Sequence, residues 1–308
     1  MKRVFISILA AAALMGCAKE GSNEGTINNE LVPIRLSAGM GIEVSSKAPI
    51  NPDASPLTTF TAGVAGWEAE TAPDYATAAM TWVSTAANIE ASTTAKSVTL
   101  NPARYYNADA SVNTYIRAWH PEGTVNQTAK TVAFENTDGS VDAMLAVTVN
   151  GSKEDKNTPL TLAFEHQTAQ LNFVVKAGEG LAAGTTIESI KVKGVSLPTG
   201  FDLASYTTTS TAVDAAGLEV PGIASEEITA DGVAAGNPVM IMPLSGNTVT
   251  IDVATSEAEF SNQTFTVDTE NVEAGKNYTI TLTFSQSGIS LNATVEAWET
   301  EEGSGTIK

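Results

Sequence analysis

Cysteine is nearly missing from this 308-residue sequence, in which Cys17 is the one thiol. A chain with one cysteine forms no internal disulfide, so packing alone must stabilise its fold. Histidine is nearly as rare, and His120 and His166 lie far apart with no known motif around them. A histidine metal site or a Ser-His-Asp triad would need one of them, whereas histidines at strand ends more often serve packing or hydrogen bonding. We therefore predict no metal site and no catalytic triad.

Basic and aromatic residues are also scarce. The 16 Lys and Arg residues face 35 Asp and Glu residues, and the net charge of −19 argues against binding nucleic acid or docking on anionic lipid. Aromatic residues make up 6% of the chain, fewer than carbohydrate hydrolases usually show. The motifs of serine hydrolases, zinc proteases, phosphate-binding loops and dinucleotide-binding folds do not occur. We predict no catalytic residues, no cofactor and no enzymatic activity.

What the sequence does have begins at its N-terminus. Lys2 and Arg3 precede the apolar run Val4–Leu14, which is too short for a transmembrane helix and is typical of a secretory signal. The run ends in Leu-Met-Gly-Cys, the pattern that precedes acylation in bacterial lipoproteins. We predict cleavage between Gly16 and Cys17 and a lipid anchor such as palmitate on Cys17, because several acyl chains on one residue anchor a protein durably. The alternative is a signal peptide with an incidental cysteine near its end.

Period-2 alternation of apolar and polar residues recurs along the whole chain and predicts β-strands. In NYTITLTF, for example, one face carries Tyr278, Ile280, Leu282 and Phe284, and the other carries threonines. No segment has the pattern of a long amphipathic helix. The sequence therefore predicts an all-β fold of antiparallel β-sandwiches, each sheet with one buried face. The polar stretch Asn150–Pro159 predicts a boundary between an N-terminal domain, 48–157, and a C-terminal domain, 158–308, although it could equally be a long hairpin loop.

The first alternating segment stands apart from the others. Its even positions are all apolar, namely Val32, Ile34, Leu36, Ala38, Met40, Ile42 and Val44. At ~3.3 Å per residue it would reach roughly 40 Å, which is long for a strand. A polar link rich in Ser and Pro follows it in place of a tight turn. It is either an ordinary first strand or a removable strand that fills a groove and can be exchanged for a strand of a neighbouring molecule.

A similar pattern closes the chain. In ISLNATVEAW, one face carries Ile289, Leu291, Ala293, Val295 and Ala297. This segment is either an internal strand of the C-terminal domain or a donor strand for the next subunit.

Taken together and in order, these pieces resemble the fimbrillin-like proteins of Bacteroidales, the subunits of the type V pilus. The similarity covers the signal ending at Cys17, the first strand, SVTLNPARYYNADASVNTYIRAWHPEG, DGSVDAMLA, LTLAFEHQTAQLNFVVKA, VMIMPL and the closing strands. It implies two transthyretin-like β-sandwich domains with an exchangeable N-terminal strand. It also implies a lipoprotein precursor that faces outward from the outer membrane. A trypsin-like surface protease then removes the lipidated propeptide, 17–47, and subunits polymerise into an adhesive fimbria by donor-strand exchange.

In this chain the position that corresponds to the family's protease cleavage site lies between Lys47 and Ala48, in the link after the first strand. A cut after Arg35 is the second choice, because pairing would protect a site within a strand. A lysine stands where the family usually has an arginine. The implied partners are other fimbrial subunits, the membrane, the protease and a host or bacterial adhesion ligand. The competing hypothesis is a surface lipoprotein that keeps its anchor and binds glycan or host protein, or serves as a fimbrial anchor or tip.

Overall fold

The computed structural model describes residues 31–40, 50 and 57–297, without the side chains of 296 and 297. Of the exchangeable strand, it therefore describes the part up to Met40. The first half of this described chain contains the strands β1 Leu36–Met40, β2 Thr59–Ala69, β3 Trp82–Glu90, β4 Lys96–Val98, β5 Leu100–Asn101, β6 Asn113–His120, β7 Thr124–Asn126, β8 Thr131–Ala133, β9 Met144–Ala146, β10 Val149–Gly151 and β11 Leu160–His166.

The second half continues with strands of similar length. These are β12 Ala169–Ala177, β13 Ile187–Lys193, β14 Ser196–Asp202, β15 Thr207–Ala212, β16 Leu218–Glu219, β17 Val233–Ala234, β18 Val239–Ile241, β19 Thr248–Thr255, β20 Glu259–Thr266, β21 Lys276–Ser285 and β22 Gly288–Ala297. A single-turn 3₁₀ helix spans Lys153–Asp155, and the Ser152 hydroxyl caps it by accepting from the Glu154 amide. The predicted all-β fold is confirmed.

The first sheet has the strand order β4-β1-β11-β9-β6-β2-β3-β5, with β10 also paired to β6. Its two outermost strands, β4 and β5, are separated in the chain by Thr99 alone. The sheet must therefore curl back on itself and enclose a core. That core, which we call the first core, contains buried side chains from β1, β2, β6, β9 and β11, including Leu36, Val64, Ile116 and Phe164.

The outer face of the first sheet is covered by a four-stranded sheet in the order β15-β14-β8-β7. β2 and β6 are consequently buried on both faces, since their alternate residues point into two different cores. On β2, Val64 belongs to the first core and Trp67 to a bridging core that also contains Trp119, Val132 and Phe201. The bridging core thus joins side chains from both halves of the chain.

The second half forms a sandwich of two sheets. One has the order β17-β12-β21-β22, with β18 also paired to β12, and the other has the order β16-β13-β19-β20. Their inner faces supply the second core, in which Phe173, Ile190, Ile251 and Ile280 are almost completely buried. Most strand pairs are antiparallel, but β12 runs parallel to β21, and β1 runs parallel to β11.

The strand after the predicted boundary at residue 157 belongs to the first sheet, because β11 pairs with both β1 and β9. The next strand, β12, already lies in the second core. The chain passes from one core to the other between His166 and Ala169. Strands from both sides of residue 157 therefore share two sheets, the first sheet and the β15-β14-β8-β7 sheet.

Candidate functional site

The strand β1 lies between β11 and β4 and completes the curled first sheet. It pairs in parallel with β11, from Leu36 opposite Leu160 to Met40 opposite Phe164. On its other edge it pairs antiparallel with β4, where Leu36 lies opposite Val98. Removing β1 would therefore open the sheet between β4 and β11 and expose the first core.

Backbone hydrogen bonds extend this pairing beyond the ends of β1. Upstream, the Ile34 amide donates to the Arg104 carbonyl over 2.8 Å, and the Val32 carbonyl accepts from the Tyr106 amide over 2.9 Å. Downstream, the Met40 amide donates to the carbonyl of Ser92 over 2.9 Å. Neighbouring chain thus pairs with both edges of β1 and with one edge of residues 32–34.

The side chains of this segment alternate as the sequence predicts. Ile34, Leu36, Ala38 and Met40 are buried in the first core, and Val32 packs partly against it. Burying a side chain as large as Leu, Ile or Met stabilises a fold by ~1.5–3 kcal/mol. The segment therefore makes a substantial contribution to folding, although it is joined to the rest of the protein through a long link.

The opposite side of β1 is polar. The Ser37 hydroxyl lies 3.0 Å from the Thr161 hydroxyl of β11. The side chain of Arg35 is exposed, but its carbonyl accepts from the Leu160 amide over 3.0 Å. A protease requires an extended and unpaired backbone, so this pairing protects the second-choice processing site.

The predicted donor strand lies in the second sandwich. β22 pairs with β21 along its whole length, from Gly288 to Ala297, and forms the end of its sheet. Ala293 is buried in the second core, and Ile289, Leu291 and Val295 pack partly against it. β22 is thus an edge strand of its own sandwich, and it lies in a different sheet from β1.

Several predicted site residues fall outside the part of the chain that the structure describes. These are Gly16 and Cys17 of the lipoprotein signal, Ile42 and Val44 of the first strand, and Lys47 and Ala48 of the processing site. The predictions for them remain predictions.

The structure brings together two histidines that are separated by 46 positions in the sequence. His120 at the end of β6 and His166 at the end of β11 both lie opposite Met144 of β9. The ring nitrogen Nδ1 of His166 lies 2.8 Å from a carboxylate oxygen of the buried Asp142. Sequence reasoning missed this cluster, because neither alternation nor spacing indicates which strands are neighbours.

His120 makes a different contact. Its Nδ1 lies 2.7 Å from the Thr61 carbonyl, and because a carbonyl only accepts, this nitrogen carries the hydrogen. Burial lowers the pKa of His120, against the opposing effects of the Thr61 hydrogen bond and of Asp142. Within residues 31–40 and 57–297, no group of three or more His, Cys, Asp or Glu side chains is arranged to hold a metal ion. The same residues contain no helix long and apolar enough to cross a membrane.

Comparisons with known proteins agree with this architecture. A candidate cell adhesion protein from Bacteroides uniformis has 19% identity and a TM-score of 0.55, over 86% of this chain and 98% of its own. A fimbrial protein from Bacteroides vulgatus has 16% identity and a TM-score of 0.52, over 86% and 99%. A candidate cell adhesion protein from Bacteroides ovatus has 15% identity and a TM-score of 0.52, over 89% and 100%.

These structures share the fold at low sequence identity, and no curated protein matches the sequence. The family profile described as fimbrillin-like matches residues 59–298, which is most of the chain. The chain therefore belongs to the fimbrillin-like family.

Proposed function

We propose that this protein is a structural subunit of a surface fimbria that polymerises by donor-strand exchange. The observation that carries the proposal is the position of β1, which completes the first sheet between β4 and β11 and buries its apolar face in the first core. An extended segment held in this way can be replaced by a strand of the same pattern from another subunit, since backbone pairing gives affinity and alternate side chains give specificity. Membership of the fimbrillin-like family supports a role in a cell-surface appendage.

In this proposal the chain is exported as a lipoprotein and anchored at the outer membrane through Cys17. A trypsin-like surface protease then cuts between Lys47 and Ala48 and releases the propeptide with β1. The pairing of Arg35 with Leu160 favours the Lys47 site over a cut within the strand. An empty groove with an apolar core and two unpaired edges would bind another strand strongly.

The donor strand is proposed to come from the C-terminal part of another subunit, with β22 as the candidate. Because β22 is an edge strand, it has to break backbone pairing with one strand only, β21, and to withdraw its inner side chains from the second core. We further propose two domains, and the positions of the cores favour a division at residues 167–168 instead of 157.

The proposal is tested by the N-terminus of the protein in its native setting. High-molecular-weight material isolated from the cell surface should begin at Ala48 by mass spectrometry. In a Lys47→Ala variant, the protein should retain acylated Cys17 and stay out of this fraction. Arg35→Ala is the matched control, because it removes the rival site and should leave processing unchanged.

If only acylated Cys17 is found in wild-type material, the protein keeps its first strand, and the role of a polymerising stalk subunit is wrong. The alternative is then a permanently anchored surface protein that binds a ligand. A cleft of about 460 Å³ at one end of the second sandwich favours this candidate, since its lining combines Leu181, Phe260 and Phe284 with Thr185 and Gln286.

A further inference from the structure

Gly39 lies at a point of β1 where the neighbouring backbone leaves no room for a side chain. A Cβ atom placed on it would lie 2.6 Å from the Ser92 carbonyl oxygen and 3.1 Å from the Cα of Ala95. Real Cβ atoms essentially never show contacts below 3.0 Å, so a side chain here would force the backbone to shift. Gly39 does not have the positive φ that favours glycine for conformational reasons, so the requirement is one of space.

Hydrogen bonds hold the backbone at Ser92, which faces Gly39, in place. The Ser92 carbonyl accepts from the Met40 amide over 2.9 Å, so moving it away would break a bond to β1 itself. The residue before it, Ala91, donates to the Thr58 carbonyl over 2.9 Å, and the Ser92 hydroxyl accepts from the Thr94 amide over 3.2 Å. Both atoms nearest to the missing Cβ are backbone atoms, which cannot rotate away as a flexible side chain can.

We propose that Ser92 and Ala95 form a steric gate that requires glycine in any strand occupying this groove. The accepted strand has an apolar residue at every second position and a glycine directly before the apolar residue that takes the place of Met40. This inference rests on the proposed strand exchange, and it specifies the chemistry of the partner strand. The first strand itself meets the requirement, and because the proposed cut releases it, the donor strand that replaces it has to reproduce its glycine.

The gate qualifies the choice of β22 as donor strand, because β22 of an identical copy enters the groove less readily than a C-terminal strand that carries the glycine. Ile34-x-Leu36-x-Ala38 and Ile289-x-Leu291-x-Ala293 carry the same three inward residues, and this alignment places Thr294 at the position of Gly39. A shift of two residues in either direction, which keeps the apolar face inward, brings Asn292 or Glu296 to the gate. The inward face of β22 therefore fits the groove, whereas its outward face lacks the glycine.

The first experiment uses the full chain and does not depend on exchange. Gly39→Thr should lower Tm by more than about 5 °C, because the backbone at Ser92 must move. Ser37→Thr is the matched control on the same side of the strand and should leave Tm within about 2 °C of wild type. Threonine favours strands over glycine, so without a gate Gly39→Thr would raise Tm, and that result would overturn the proposal.

The second experiment tests the partner strand. The full chain is cut after Lys47, and binding of fluorescent peptides covering residues 287–299 to the cut protein is measured by anisotropy. The Thr294→Gly peptide should bind at least about tenfold more tightly than the native peptide. The Ser290→Gly peptide is the control, because Ser290 lies on the same side of the strand and reaches the gate in none of these three registers, and it should bind no more tightly than the native peptide. Equal binding of the native and Thr294→Gly peptides would overturn the gate.

A peptide of residues 31–45 separates failure of the gate from failure of the exchange. One outcome is that this peptide also fails to bind the cut protein while Gly39→Thr lowers Tm. Strand exchange is then wrong, and so is the requirement for glycine in a partner strand. Binding of the 31–45 peptide together with loss of binding by its Gly39→Thr form supports both proposals.

Discussion

The hydroxyl of Tyr206 lies 2.8 Å from the carbonyl oxygen of Ala118 and donates to it, although the two residues are 88 positions apart. The same hydroxyl lies 2.5 Å from the Ala146 carbonyl. Tyr206 occupies the turn between β14 and β15, and Ala118 lies on β6 of the first sheet. Arg117 reinforces the contact, because its guanidinium lies 3.4 Å from the ring centre of Tyr75 and 4.5 Å from that of Tyr206.

We expect Tyr206→Phe to lower the free energy of unfolding by about 1–3 kcal/mol, because it leaves two carbonyls without this donor in a buried site. Urea denaturation followed by circular dichroism measures the effect. Tyr105→Phe is the control, since Tyr105 is 42% exposed and its hydroxyl lies outside this contact. Equal midpoints for the two variants would show that the Tyr206 hydroxyl does not stabilise this contact.

Leu36→Asp tests the contribution of the first strand. Leu36 is 1% exposed, so the substitution removes an apolar side chain from the first core and places an unpaired carboxylate there. We expect a loss of at least about 3 kcal/mol in the free energy of unfolding, or an insoluble precursor. Ser37→Asp, one position away on the polar side, should fold normally. A soluble Leu36→Asp precursor with the wild-type urea midpoint would be incompatible with the role assigned to β1.

His120 should make the stability of the protein depend on pH. Its pKa is lowered by burial in the folded state, so between the folded and unfolded pKa values the unfolded chain binds more protons. The contribution of His120 is therefore fully present above the unfolded pKa of about 6.5 and is lost as pH falls towards the lowered folded pKa. We expect the free energy of unfolding to decrease from pH 7.5 to pH 5.5, and to decrease less in His120→Asn.

The difference between the pH profiles of wild type and His120→Asn measures what His120 and its interactions contribute to this dependence. Parallel pH profiles for the two proteins would rule out this role.

Gly63 of β2 lies directly beneath the indole of Trp119. A Cβ at this position would come within 2.3 Å of the Trp119 ring, which is fully buried and donates from Nε1 to the Glu122 carbonyl over 2.9 Å. Gly63→Ala should therefore cost about 1–3 kcal/mol through overpacking. A double-mutant cycle with Trp119→Leu provides the check, because the smaller side chain should remove most of that cost. If Gly63→Ala lowers the free energy of unfolding by the same amount in the Trp119→Leu protein as in wild type, the strain does not come from contact with the indole.

Local alternation in the sequence predicts the strands and their buried faces well. The run NYTITLTF forms β21, and Tyr278, Ile280, Leu282 and Phe284 are all buried in the second core. The first strand likewise points the predicted residues inward as far as Met40. Period 2 defines the two faces of each strand, and burial then selects one of them.

The partners of the strands could not be predicted in the same way. β1 pairs with β11 across more than 100 residues, and nothing in either segment encodes that choice locally. A boundary at residue 157, which is predicted from the polar stretch alone, groups β11 with the C-terminal half, whereas the backbone pairing of β11 is with β1 and β9 of the first sheet. The requirement at Gly39 also depends on a distant carbonyl, that of Ser92, and the one local signal was a glycine inside an alternating strand.

The pairing of β8 with β14 connects the two halves of the chain by a second route, beside the covalent connection. These strands come from opposite sides of the passage between the first and second cores, and they pair antiparallel. The flanking hydrogen bonds join Leu203 to Lys130 over 2.8 Å and Phe134 to Thr199 over 3.0 Å. A pulling force that separates the cores must break this ladder as well as stretch the connection at residues 167–168. We therefore expect the two halves to resist tension together, through the hydrogen bonds of this ladder as well as through the covalent connection.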